Sequence, residues 1–229
     1  MKSLAAFFVG LVAAMALASA AHALSLADLT NKDATTGLRE ALTQGAGKAV
    51  DLLGRNDGFM GNPKVKIPLP ESVQKVEGMM RKLGMSKQAD ELLTTINRAA
   101  EAAVPEAKTL LVDSIKKMSV EDAKGILSGG DDAATQYFRR TTSAPLAAKF
   151  KPIVQKAITK VKLAEKYDQV AGKAAKFGLV KEEDSHLQDY VTQKTLDGLY
   201  LMIAEEEKLI RKNPAEAAGK LAKKVFGLL

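Results

Sequence analysis

His186 is the residue best placed to do acid–base or metal chemistry, because Glu183-Asp184-Ser185-His186 surrounds it with oxygen ligands. Glu183 and His186 have the Glu-x-x-His spacing that di-metal helical bundles place on an inward face, but such a site needs the motif twice. The chain has two histidines, and His22 falls in the segment expected to be removed as a signal, so only His186 remains and a second copy cannot be built. Asp184, Ser185 and Asp189 also offer the residue types of a Ser-His-Asp triad. A triad is defined by geometry rather than by adjacency, and no G-x-S-x-G elbow presents a serine. The cluster therefore reads as a solvated turn. Neither a catalytic residue nor a metal or cofactor is expected.

Two other stretches imitate sites. Gly45-Ala46-Gly47-Lys48 resembles the end of a phosphate loop, yet it lacks the Walker spacing and follows no strand. Close approach of two helices is the better reading. Glu205-Glu206-Glu207 offers three carboxylates, but consecutive helical residues point about 100° apart and cannot converge on one ion. With Lys208, Arg211 and Lys212 one or two turns away, they read as a surface salt-bridge face. The alternative has one glutamate turning inward to meet Arg139 or Arg140.

Two groups remain as candidates. Tyr137, Arg139 and Arg140 lie on one helix, and Tyr190, Lys194, Asp197 and Glu205 on another. If these helices touch, the residues form either a ligand cleft or an ion-pair network that fixes helix packing, the structural reading being preferred. The second group is basic. Lys149, Lys151, Lys156, Lys160, Lys162, Lys166, Lys173 and Lys176 face only Glu165 and Asp168 within the same stretch. The default is a solvated face. Phe150 and Phe177 also suit an anionic membrane surface, whereas stacking aromatics for nucleic acid are few.

The elements that must position these residues are helical. Ala, Leu, Lys and Glu dominate, and β-branched and aromatic runs are few. Apolar spacing predicts helices over 30–53, 71–83, 86–118 with a kink or restart at Pro105, and 187–211. Ser119 opens a short helix with a capping-box pattern, and Asp131 or Asp132 caps the next. Ser143 and Pro145 open a further helix, with a break near Val161–Lys162, and Asn213-Pro214 starts a last one to Phe226. Residues 54–70 form an extended loop with Val65, Ile67 and Leu69 turned inward. The expectation is an all-α fold, a compact bundle of about eight to ten short helices without a sheet, occupying 24–229 as one domain.

Residues 1–23 have the features of a secretory signal: Lys2, an uncharged run from Leu4 to Leu17, and Ala21-His22-Ala23 before Leu24. Cleavage near Ala23 places the protein in the bacterial periplasm or outside the cell, with no transmembrane segment in the mature chain. It removes His22, and with Lys2 one unit of the +7 net charge. The absence of cysteine then excludes disulfides, thiol catalysis and a lipid-anchoring cysteine.

Three stretches carry a resemblance. They are Phe59-Met60-Gly61-Asn62-Pro63-Lys64-Val65-Lys66-Ile67-Pro68-Leu69-Pro70, Ala134-Thr135-Gln136-Tyr137-Phe138-Arg139, and the run from Asp189 through Tyr200 and Glu205-Glu206-Glu207 to Pro214. In order and spacing the chain resembles a family of exported, all-helical bacterial proteins catalogued as a domain of unknown function. The resemblance implies export and a helical fold, and carries over no activity. The expected function is a non-enzymatic binding or envelope-associated protein that contacts anionic lipid, another envelope component or a partner protein. A small-ligand or lipid carrier is the alternative and a hydrolase the last choice. Export argues against nucleic acid.

Overall fold

A computed structural model describes residues 31–71, 74, 86–160, 186–216 and 219–227. Every element among them is helical: α1 (Asn31–Leu53), α2 (Ser86–Ala103), α3 (Ala107–Lys117), α4 (Val120–Ser128), α5 (Ala133–Ile158), α6 (Leu187–Lys212) and α7 (Lys220–Phe226). Two 3-10 turns, Val104–Glu106 and Pro214–Glu216, precede α3 and α7. No strand occurs among the described residues. No helix there is long and apolar enough to cross a membrane.

Among the described residues there are seven α-helices, where eight to ten short ones were expected over the whole chain, and α5 joins two that were expected to be separate. It runs 26 residues straight through Pro145 and Pro152, where a new helix was expected to start at Ser143. Ala134, Phe138, Thr142, Leu146, Phe150, Val154 and Ile158 are buried at a constant spacing of four. Each step of four drifts about 40° around an α-helix, so this stripe winds around α5 rather than along one side. The winding matches its neighbours, because α5 packs against α6, α2, α3 and α4. Both prolines are solvent-exposed, as are Thr141 and Ala148, whose carbonyls lose their helical donors. Carbonyls on an exposed face are open to hydration, and the buried stripe continues unbroken past both prolines.

The other helices follow their sequence patterns closely. On α1, Leu38, Ala41, Ala49 and Leu53 are completely buried, and the helix packs against α7, α6 and α3. Pro105 restarts the chain through the 3-10 turn between α2 and α3. Ser119 and Asp122 form the reciprocal capping box at α4. At the C-terminus the helix expected from Pro214 is divided. The 3-10 turn ends, Gly219 takes φ +78°, and α7 begins at Lys220. Gly219 adopts a backbone conformation that side chains disfavour.

Val65, Ile67 and Leu69 are buried and alternate with exposed Lys66 and Pro68, as their spacing implied. This extended segment packs into one continuous core with the helices. Gly198 on α6 permits the approach, since a Cβ there would lie 2.7 Å from the Phe59 ring. The signal segment 1–23, the expected helix over 71–83 apart from Glu71 and Gln74, and the expected break at Val161–Lys162 lie outside the described residues.

Candidate functional site

The seven residues proposed for a cleft do not converge on one cavity. Arg139 and Asp197 approach across the α5–α6 contact at 3.8 Å, and the Arg139 guanidinium stacks over Tyr200, 4.7 Å from its ring centre. Arg140 points elsewhere, pairing with Asp122 at 2.9 Å and covering the Tyr137 ring at 5.4 Å. The Tyr137 hydroxyl donates to the Ser114 carbonyl at 2.7 Å. Lys194 covers Tyr190, whose hydroxyl donates to the Pro68 carbonyl at 3.0 Å. Glu205 pairs with Lys64 of the loop. That hydrogen bond, reinforced by the lysine's charge, holds the Glu205 carboxyl below its ordinary range. The geometry is a set of separate ties between elements. Tyr137 and Arg140 line a groove of about 450 Å³ between α3 and α5.

The three consecutive glutamates differ from the expected surface face. Glu206 and Glu207 are both buried, while Glu205 is partly exposed. Glu206 pairs with Lys48 of α1 at 3.1 Å. Glu207 turns inward, as one alternative allowed, but its partner is Arg211 at 2.9 Å rather than Arg139 or Arg140. Its two oxygens also accept from the Ala134 and Thr135 amides, each at 2.9 Å. Asp132 occupies the N-cap position of α5 and makes no side-chain capping bond. A carboxylate from α6 therefore caps α5, where orphan amides and the helix dipole favour negative charge. Arg211 extends the network to the Ile126 carbonyl of α4.

A second buried polar device holds the loop. Asn97 is fully buried on α2 and makes two bonds to one residue of the extended segment. It accepts from the Ile67 amide at 2.8 Å and donates to the Ile67 carbonyl at 2.9 Å. One turn on, Glu101 accepts from the Phe59 and Met60 amides at 3.0 Å. Arg98 bridges Glu101 and Asp57, and these hydrogen bonds, Glu101 first, raise its already high pKa. Asp57 itself has φ 64°, the left-handed region that asparagine and aspartate tolerate best among side chains. Sequence reading missed this clamp. Its only trace is two polar residues four apart, Asn97 and Glu101, beside the apolar stripe of α2.

Gly45 sits where α1 meets α6, with the Ile210 side chain 3.4 Å from where its Cβ would be, and Lys48 pairs with Glu206, so both serve the helix contact, whereas a Cβ at Gly47 would meet nothing within 4 Å. His186 is exposed at the N-cap of α6, and Asp189 pairs with Lys151 at 2.7 Å. Glu183, Asp184 and Ser185 lie outside the described residues. Among the described residues no group of three or more His, Cys, Asp or Glu side chains could hold a metal ion.

The basic stretch divides. Lys149 pairs with Glu106 at 3.3 Å and Lys151 with Asp189. Lys156 and Lys160 are exposed and have no ion-pair partner among the described residues. Lys162, Lys166, Lys173 and Lys176 lie outside them.

No curated protein and no solved structure matches this chain. A family model described as "Protein of unknown function (DUF4197)" matches residues 28–227. That span takes in the loop clamp, the carboxylate cap of α5 and the whole described helical core, and the chain belongs to this family.

Proposed function

We propose that the protein is an exported, non-enzymatic binding protein of the bacterial envelope that contacts an anionic surface, lipid or lipopolysaccharide, through its basic stretch. The observation that carries this reading is the division among the lysines. Those at 149 and 151 are used within the fold, whereas Lys156 and Lys160 are exposed without an acidic partner among the described residues. In sequence the same run continues with four more lysines and Phe177. Basic helices of this kind gain roughly 1 kcal/mol per lysine near an anionic leaflet. Scattered ties in place of a shared cleft, and a lone exposed histidine, support a binding role over catalysis.

Two measurements test it. The intact mass of the protein recovered from the periplasm should correspond to a chain beginning at Leu24; an unprocessed chain found only in the cytoplasm contradicts export. The double variant Lys156→Glu/Lys160→Glu should lower binding to anionic vesicles at least about tenfold at low salt. Unchanged binding removes these residues from the surface.

A further inference from the structure

The last helix carries charge that the fold does not use. α7 buries Ala222, Val225 and Phe226, and at about 100° per residue Lys220, Lys223 and Lys224 fall on its opposite side. Lys220 and Lys223 are exposed and Lys224 is half-buried. None of the three has an ion-pair partner among the described residues, and α7 contains no acidic residue. Glu40 of α1 lies against Gly219 at the start of α7, with its Oε2 buried. The helix is firmly seated. A Cβ at Gly37 of α1 would lie 2.6 Å from the Leu221 carbonyl oxygen, so the two backbones meet closely. Arg211 of α6 covers the Phe226 ring, 5.8 Å from its centre.

The place of α7 relative to the basic stretch follows from α6. Lys151 pairs with Asp189, Arg139 with Asp197, and the Ala134 amide with Glu207, so α5 and α6 run antiparallel. Lys156 and Lys160 therefore lie at the starting end of α6, whereas α7 packs beside Arg211 at the other end. A rise of about 1.5 Å per residue sets Asp189 and Arg211 about 33 Å apart along α6. We infer that α7 is a second contact for an anionic lipid membrane, and that the protein bridges two such membranes, one at each end. The basic stretch, on the reading proposed for it, supplies one contact and α7 the other. The outer face of a single helix is convex, which suits lipid headgroups that move laterally to gather beneath the lysines. The apolar side of α7 is committed to the core, so its attraction is electrostatic and weakens with salt. α7 has fewer lysines than the stretch from Lys149 to Lys176, and its contact is the weaker. Many copies on one vesicle act together, which lets a weak contact hold a second vesicle.

The test uses vesicles of phosphatidylcholine with and without phosphatidylglycerol at low salt, with binding read by sedimentation and clustering by light scattering. The protein should cluster the anionic vesicles alone. Lys220→Glu/Lys223→Glu should change binding by less than about twofold, yet lower clustering at least about fivefold. Lys220→Arg/Lys223→Arg, which keeps the charge, should cluster vesicles as the parent does. Lys220→Gln/Lys223→Gln replaces the glutamate variant if that one does not fold. Binding by the parent without clustering overturns the inference and leaves the basic stretch as the only contact. Undiminished clustering by the glutamate variant overturns the part given to α7. A large loss of binding by that variant places both lysine groups on one membrane and overturns the bridge. Failure of the parent to bind anionic vesicles overturns this inference together with the function proposed for the basic stretch.

Discussion

Replacing Glu207 by alanine removes a charge that holds two amides of α5, the Thr135 hydroxyl and the Arg211 guanidinium at once. Its side chain is 3% exposed and that of Arg211 only 11%, so solvent cannot take over these roles. Breaking a buried pair by deleting one partner costs roughly 3–5 kcal/mol, and Glu207→Ala should lower stability by about that much in urea unfolding. Lys64 and Glu205 make the opposite case, with side chains 57% and 42% exposed. Screening limits this pair to less than about 1 kcal/mol. The carboxyl of Glu205 is held low in the folded state, so the contribution is present above the ordinary carboxylate pKa and is lost as pH falls through the folded value. Stability curves of Lys64→Met and the parent should differ slightly at neutral pH and converge in acid; a gap that persists in acid contradicts the assignment. Of these pairings only that of Glu207 with Arg211, one turn apart, was legible from spacing. Residue type marks Glu206, Glu207, Asn97 and Glu101 as polar, but partners 30 to 158 residues away in the chain decide which are buried.

At the scale of elements, helix signals were readable wherever they were local. The Ser119–Asp122 capping box, the restart at Pro105 and the apolar faces of α1 and α2 depend on neighbours within a turn or two. Pro145 misled because its effect depends on which side of the helix it occupies. On the buried side it would strand a carbonyl; on the exposed side water repairs the loss. Pro145→Ala should therefore restore one helical hydrogen bond without disturbing the core. A gain of about 1–2 kcal/mol is expected, once the freer unfolded chain is allowed for. A loss of stability in thermal or urea melts would show that the proline, rather than the winding stripe from Ala134 to Ile158, directs the path of α5. The cap of α5 was misread for a related reason: Asp132 has the right type and position, yet Glu207 from α6 reaches the amides.

For the whole molecule, composition was enough to give the all-helical class, and the described core is continuous across the helices and the extended segment at 65–69. Without cysteine, that core and its two buried polar networks hold the fold together. Whether the candidate residues of α5 and α6 form a cleft or the preferred packing network was less legible. Aromatic and charged residues on facing helices have the same sequence signature whether they line a cavity or tie elements together, and here distances decide for ties. The proposed function rests on Lys156 and Lys160, which are exposed and have no ion-pair partner among the described residues. Sedimentation of the protein with vesicles of anionic or zwitterionic lipid at low and physiological salt decides whether it contacts an anionic surface. Binding to the anionic vesicles alone is expected, strongest at low salt and weakened as screening rises. Equal failure to bind both kinds at low salt, or equal binding to both, would contradict it.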